Sequence, residues 1–128
     1  MTQPVYSYDE ESDILYISFA PGEKGTGIEL SDQILLRLNK SQRRAIGLTL
    51  FDYSVLAQTT DLGPRSFPLA GLSELSADLR DLVLEVITRP PISDILHMSA
   101  YTPSLSETTP IVSISAALAS LPPLAEVA

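Results

Sequence analysis

The first half of the chain alternates apolar and polar residues with the period of two that is typical of β-strands. Five such segments are separated by polar or glycine-containing turns, at residues 5–8, 14–19, 27–30, 34–39 and 46–50. Short strands at this spacing predict an antiparallel β-meander over residues 4–53. The alternation also predicts the apolar residues on the core side of the sheet: Leu15, Ile17, Phe19, Leu36, Leu38, Leu48 and Leu50.

The second half changes to a helical pattern after a proline-containing linker at residues 62–68. Apolar residues then recur every three or four positions from Leu72 to Ile87, which predicts an amphipathic helix over about 77–88. Ser76 is placed to cap its start, and Pro90-Pro91 to end it. One helical turn at 93–97, short strands at 98–102 and 111–115 with a polar connector between them, and a flexible tail from residue 116 complete the prediction.

The predicted fold class is therefore α+β: an antiparallel meander of about five strands, an amphipathic helix and two short C-terminal strands. We expect residues 1–60 to form the meander. We expect residues 61–128 to be an extension that packs on it as one unit.

Composition narrows the function classes. The 128 residues carry 16 acidic and 8 basic side chains, a net charge of −8, which disfavours direct nucleic-acid binding. There is no cysteine, so thiolate chemistry is excluded. Neither a signal peptide nor a membrane span is evident, so we expect a cytoplasmic protein. Only 19% of residues are charged and 45% are hydrophobic, which favours a homodimer that buries additional apolar surface.

Three motifs resemble a small bacterial family catalogued as domain of unknown function 2283. They are Tyr8-Asp9 with Glu11, Asp13 and Leu15-Tyr16-Ile17; Leu36-Arg37-Leu38; and Ile46-Gly47-Leu48 with Leu50. The resemblance covers about residues 4–56, and the extension beyond it is not recognised. Asn39 and Thr49 stand where the family commonly has Asp and Glu. The family has no established activity. Its members are thought to sit beside small toxin-like proteins, which implies an antitoxin-like binding role.

The acidic turn between the first two strands contains the candidate metal ligands. Asp9, Glu11 and Asp13 alternate along it, a pattern from which carboxylates can converge on Ca²⁺ or Mg²⁺. The glycine and distal glutamate of a calcium-binding loop are missing. The alternative, which we favour, is that Asp9 and Asp13 bond backbone amides and fix the hairpin.

Other candidate groups have simple structural explanations. His97 is the single histidine, and no Gly-x-Ser-x-Gly motif accompanies it, so we expect it to close a helix or to pack half-buried. Gly22, Gly25 and Gly27 suggest a hairpin turn rather than a phosphate loop, since a strand follows them. The cluster of Lys40, Arg43 and Arg44 suggests a solvated turn. The five tyrosines offer a partner surface or cross-strand packing: Tyr6, Tyr8, Tyr16, Tyr53 and Tyr101.

Two functional hypotheses follow. The first is a non-enzymatic interaction or assembly module, a homodimer that binds a cognate protein at a sheet edge or on the helix, without catalytic residues or cofactor. The second is a small hydrolase or metal-dependent enzyme that uses Asp9, Glu11, Asp13 and His97. A concave site with convergent polar groups would favour the enzyme, and a flat apolar patch would favour the module.

Overall fold

The N-terminal half folds into one five-stranded antiparallel sheet in the computed structural model, which describes residues 4–115. Its strands are β1 (Val5–Asp9), β2 (Ile14–Ser18), β3 (Thr26–Ser31), β4 (Ile34–Asn39) and β5 (Arg44–Phe51). With the helix and the C-terminal strands described below, the sheet confirms the predicted α+β class.

The strand order differs from a sequential meander at one connection. The order is β1-β2-β5-β4-β3, so β5 pairs with β2 on one side and β4 on the other. The glycine-containing segment between β2 and β3 is therefore a connection from the middle of the sheet to its edge, and the predicted hairpin there is wrong. β5 is the longest and most buried of the five strands, and the central position satisfies its backbone on both sides.

One face of the sheet forms the core, as the alternation predicts. Leu15, Leu36 and Leu50 are fully buried, and Phe19 is the one predicted core residue that is only half-buried. A bulge opposite Arg37 and Leu38 shifts the register of β5. As a result Ala45 joins the main core cluster, and Ile46 is buried outside it.

The predicted helix is α2 (Ala77–Ile87). The Ser76 hydroxyl accepts a hydrogen bond from the backbone N–H of Leu79 at 3.3 Å, which confirms the cap. The buried side of α2 belongs to the same core cluster as the inner face of the sheet and consists of Leu82, Val83, Val86 and Ile87. The apolar stripe is therefore covered within this chain.

A second, three-stranded sheet follows, in the order β8-β10-β9. The remaining elements are α1 (Tyr53–Leu56), β6 (Thr59–Thr60), β7 (Gly63–Pro64), β8 (Phe67–Pro68), β9 (Leu96–Ser104) and β10 (Glu107–Ile114), with 3₁₀ helices at Ala70–Glu74 and Ile92–Asp94. The two predicted C-terminal strands are β9 and β10, which form a hairpin. Both strands extend into the predicted polar connector, because antiparallel pairing satisfies the backbone N–H and C=O groups of polar residues as well as those of apolar residues. α1 was not predicted, since four residues carry no helical period.

The 3₁₀ helix Ala70–Glu74 packs tightly against the edge strand β3. A Cβ at Gly71 would lie 2.0 Å from the backbone oxygen of Glu29, so no residue with a side chain fits there without a backbone shift. No helix in residues 4–115 has both the length and the apolar character needed to cross a membrane. The predicted flexible tail from residue 116 lies outside the described residues.

Candidate functional site

The acidic turn uses its two aspartates to hold its own backbone. Asp9 Oδ1 accepts hydrogen bonds from the backbone N–H groups of Glu11 at 3.1 Å and Ser12 at 3.4 Å. This is the local geometry by which an aspartate closes a turn. Glu10 and Glu11 are exposed, and their carboxylates accept no hydrogen bond among residues 4–115.

Asp13 fastens the turn to the residues that follow β5. Its Oδ1 accepts from the Tyr8 hydroxyl at 2.7 Å and from the backbone N–H of Ser54 at 2.9 Å, and its Oδ2 accepts from the Ser54 hydroxyl at 2.6 Å. The Asp13 carbonyl also accepts from the N–H of Tyr53 at 3.1 Å. The rings of Tyr8 and Tyr53 meet edge to face, with centroids 5.8 Å apart. We call Tyr8, Asp13, Tyr53 and Ser54 the turn anchor.

The turn anchor changes the titration of its members. Burial disfavours the charged form of Asp13, but hydrogen bonds from the Ser54 side chain, Tyr8 and the Ser54 backbone outweigh it, so the pKa of Asp13 is lowered. The hydrogen bond to Asp13, assisted by burial and nearby charge, raises the pKa of Tyr8 to about 12. Hydrogen bonds from Ser12 and Glu11 lower the pKa of Asp9. The carboxylates are thus held ionised by the protein's own donors.

The structure does not bring the proposed enzyme residues into one site. His97 lies exposed on β9, opposite Ser113 of β10, so the expectation of a helix-closing or half-buried histidine is wrong. The signal that placed it near a helix was the short turn before it, which is a 3₁₀ helix that ends at Asp94. Within residues 4–115, no three His, Asp or Glu side chains are grouped so that they could hold a metal ion.

We call the sheet face opposite the core the outer face. It carries the exposed apolar residues Val5 (49% exposed) and Tyr16 (44%) beside Ile14, Leu35 and Phe51, which are half-buried. Cross-strand register places Tyr16, Thr49 and Leu35 in one row across its centre. That row continues to Glu29 on β3.

The tyrosines divide between two environments. Tyr6, Tyr8 and Tyr53 pack half-buried against the core, whereas Tyr16 and Tyr101 are exposed on the five-stranded and three-stranded sheets, respectively. Burial and the charge of Asp94 raise the pKa of Tyr6. The tyrosines of β1 therefore pack across strands, as one of the two interpretations predicted. Tyr16 and Tyr101 are the tyrosines that could contribute to a partner surface.

The two departures from the family pattern have different surroundings. Asn39 Oδ1 accepts from the backbone N–H of Gln42 and the hydroxyl of Ser41, both at 2.9 Å, so it closes the turn between β4 and β5 as an aspartate would. Thr49 is buried at the centre of the outer face, at 7% exposure. A glutamate there would have to move outward or displace its neighbours.

The basic turn lies beside the end of α2. The Arg43 guanidinium donates to both carboxylate oxygens of Glu85, at 2.9 and 3.1 Å, and Arg44 pairs with Glu23. Arg89, which sequence reasoning did not join to this cluster, donates to Glu85 at 3.2 Å and to the carbonyl of Arg43 at 2.8 Å. Hydrogen bonding to Arg43 lowers the pKa of Glu85.

The geometry defines a small α+β protein built on an antiparallel sheet with an anchored acidic turn. Residues 6–54 match the family described as protein of unknown function (DUF2283), the family that the opening motif predicted. The match runs from β1 to the turn anchor and ends before the second sheet. No curated protein and no solved structure matches the chain.

Proposed function

We propose that this protein is a non-enzymatic assembly module that forms a homodimer through its outer face. The observation that carries the proposal is the set of apolar residues on that face, where Tyr16 and Val5 are exposed, whereas Leu82, Val83, Val86 and Ile87 of the helix are already buried. An exposed apolar sheet surface is typical of an interface.

The charges of the outer face favour a second copy as the occupant. The charged residues of the face include Arg37 and Glu29, which lie on the adjacent strands β4 and β3. Neither takes part in a salt bridge in the described part of the chain. A two-fold interface uses the same surface twice, so Arg37 of each copy can pair with Glu29 of the other.

The centre of the face also includes two small residues, Gly47 and Thr49, which favours sheet-on-sheet packing. Gly47 has no side chain, and the space above it is occupied by Arg37, whose Nη2 would lie 3.5 Å from a Cβ at that position. Two antiparallel sheets pack about 10 Å apart when their facing side chains are of moderate size. The alternative occupant of the same face is the cognate partner of an antitoxin-like module.

Light scattering with two matched tyrosine variants tests the dimer. The wild type is expected at twice the chain mass of 13.8 kDa at micromolar concentration. Tyr16→Glu should be monomeric and folded, and Tyr101→Glu, which changes an exposed tyrosine of the other sheet, should stay dimeric. A monomeric wild type, or dissociation by Tyr101→Glu alone, would overturn the proposal.

A charge exchange tests the pairing itself. Arg37→Glu should dissociate the dimer, because each interface would then hold four acids. Adding Glu29→Arg to the same chain restores opposite charges and should restore the dimer. Failure of the double variant to associate would reject the reciprocal pair, provided that circular dichroism shows both variants folded.

A further inference from the structure

The three clustered arginines line a cleft in an otherwise acidic protein. The cleft has a volume of about 690 Å³ and lies between the turn that joins β4 and β5, the end of α2 and the prolines after it. Arg43, Arg44 and Arg89 are three of the chain's eight basic residues. A volume in this range is typical of small-molecule sites.

The glutamates that pair with these arginines are not part of the cleft lining. Glu85 pairs with Arg43 and Glu23 pairs with Arg44, while Asp94 is the single acid among the lining residues. Arg43 uses Nε and Nη2, and Arg44 uses Nε and Nη2, in the hydrogen bonds found among residues 4–115. The Nη1 groups of both are left as donors that a ligand can reach, since their side chains are 53% and 40% exposed.

Apart from Gln42 and Asp94, the remaining lining is apolar. Phe19, in the connection after β2, packs half-buried against the core, Ala45 and Val86 are buried, and Pro90 and Pro91 also line the cleft. Arginines held in place by carboxylates beside an apolar wall match a ligand that has an anionic group on an apolar body.

The geometry points to a binding site for a carboxylate that carries an apolar group, either a free organic acid or the C-terminus of a peptide that ends in an apolar residue. The carboxylate is bound by the guanidinium groups of Arg43 and Arg44 and the apolar group packs on Phe19 and the prolines. A carboxylate suits this site because guanidinium groups bind it through paired N–H donors. The site can be tested separately from the proposed dimer, since Tyr16, Arg37 and Glu29 do not line the cleft.

Nuclear magnetic resonance titration with three probes tests the ligand class. Phenylacetate should shift the Nε–H resonances of Arg43 and Arg44 saturably, with a Kd of about 1 mM or tighter. Phenylacetamide, which lacks the charge, and inorganic phosphate, which lacks the apolar body, should each bind about tenfold more weakly. Equal binding of phosphate, or no saturable shift with phenylacetate up to about 10 mM, would overturn the assignment.

Matched variants locate the site, and peptides distinguish the two sources. Arg43→Gln should weaken phenylacetate binding about tenfold, and Arg80→Gln, which removes the same charge from an exposed position of α2, should leave the affinity unchanged. Equal loss in both variants would show general charge attraction and reject the site. A short peptide that ends in Phe and binds about tenfold more tightly than phenylacetate identifies a peptide C-terminus, and amidation should then abolish the gain. Binding no tighter than phenylacetate identifies a free acid.

Discussion

Replacing Asp13 by Asn tests whether the turn anchor stabilises the fold through its charge. Asn keeps the shape of the side chain and tolerates the left-handed backbone of this position, where φ is +57°. The substitution therefore removes the negative charge while it leaves the backbone unstrained. It also makes one of the two acceptor oxygens a donor, so the Ser54 hydroxyl must rotate to accept instead.

The magnitude follows from the three hydrogen bonds that the carboxylate accepts. A hydrogen bond to a charged group contributes about 1.5–3 kcal/mol and a neutral one about 1 kcal/mol. Asp13 is half-buried and Ser54 is exposed, so water reduces the difference to about 0.5 kcal/mol for each bond. We expect Asp13→Asn to lower the free energy of unfolding by about 1.5 kcal/mol. Asp13→Ala should cost about 3–4 kcal/mol, because it loses every bond and strains the left-handed backbone.

Urea denaturation across the pH range provides the assay. Since the pKa of Asp13 is lowered in the folded state, its contribution is fully present above the unfolded pKa, near 3.8, and is lost as the pH falls through the folded pKa. The difference in the free energy of unfolding between wild type and Asp13→Asn should thus be constant above about pH 5 and become smaller below pH 4. The other carboxylates titrate in both proteins, so their contributions to the free energy of unfolding cancel in the difference.

Asp32→Asn is the matched control, because Asp32 lies exposed in the β3–β4 turn without a hydrogen bond in the described part of the chain. It should change stability by less than about 0.5 kcal/mol. If Asp13→Asn lowers the free energy of unfolding no more than Asp32→Asn does, or if its difference from wild type does not become smaller in acid, the carboxylate does not anchor the turn.

Two further substitutions test the packing around the sheet. Gly71→Ala should destabilise the protein by about 1–3 kcal/mol, because its Cβ meets the Glu29 backbone. Gly27→Ala is the control, because its Cβ would lie 3.7 Å from the nearest neighbour, and thermal melts should show it to be nearly neutral. Equal destabilisation by both substitutions would contradict the close approach at Gly71. Leu82→Asp should unfold the protein or make it insoluble, since it buries a charge in the core. Arg80→Asp on the exposed side of α2 should remain folded by circular dichroism; a soluble, equally stable Leu82→Asp protein would refute the buried stripe.

The local periodicities were sufficient to predict the five strands of the first sheet and the helix α2. Alternation placed Leu15, Leu36 and Leu50 on the core face because a strand exposes successive side chains on opposite sides. Ser76 marked the start of α2, because a hydroxyl before a helical pattern satisfies free N–H groups. Asp9 closes its turn with neighbours two and three residues away, so its role was also readable from the sequence.

Tertiary structure decided everything that depends on partners distant in the chain. The position of β5 between β2 and β4 depends on which strands find each other, and each strand's own pattern fits several orders. Ser54 reaches Asp13 across 41 residues, and Arg89 reaches Arg43 across 46. Periodicity reports which side of an element is apolar and cannot report which elements become neighbours, because that choice is made by the packing of the whole core.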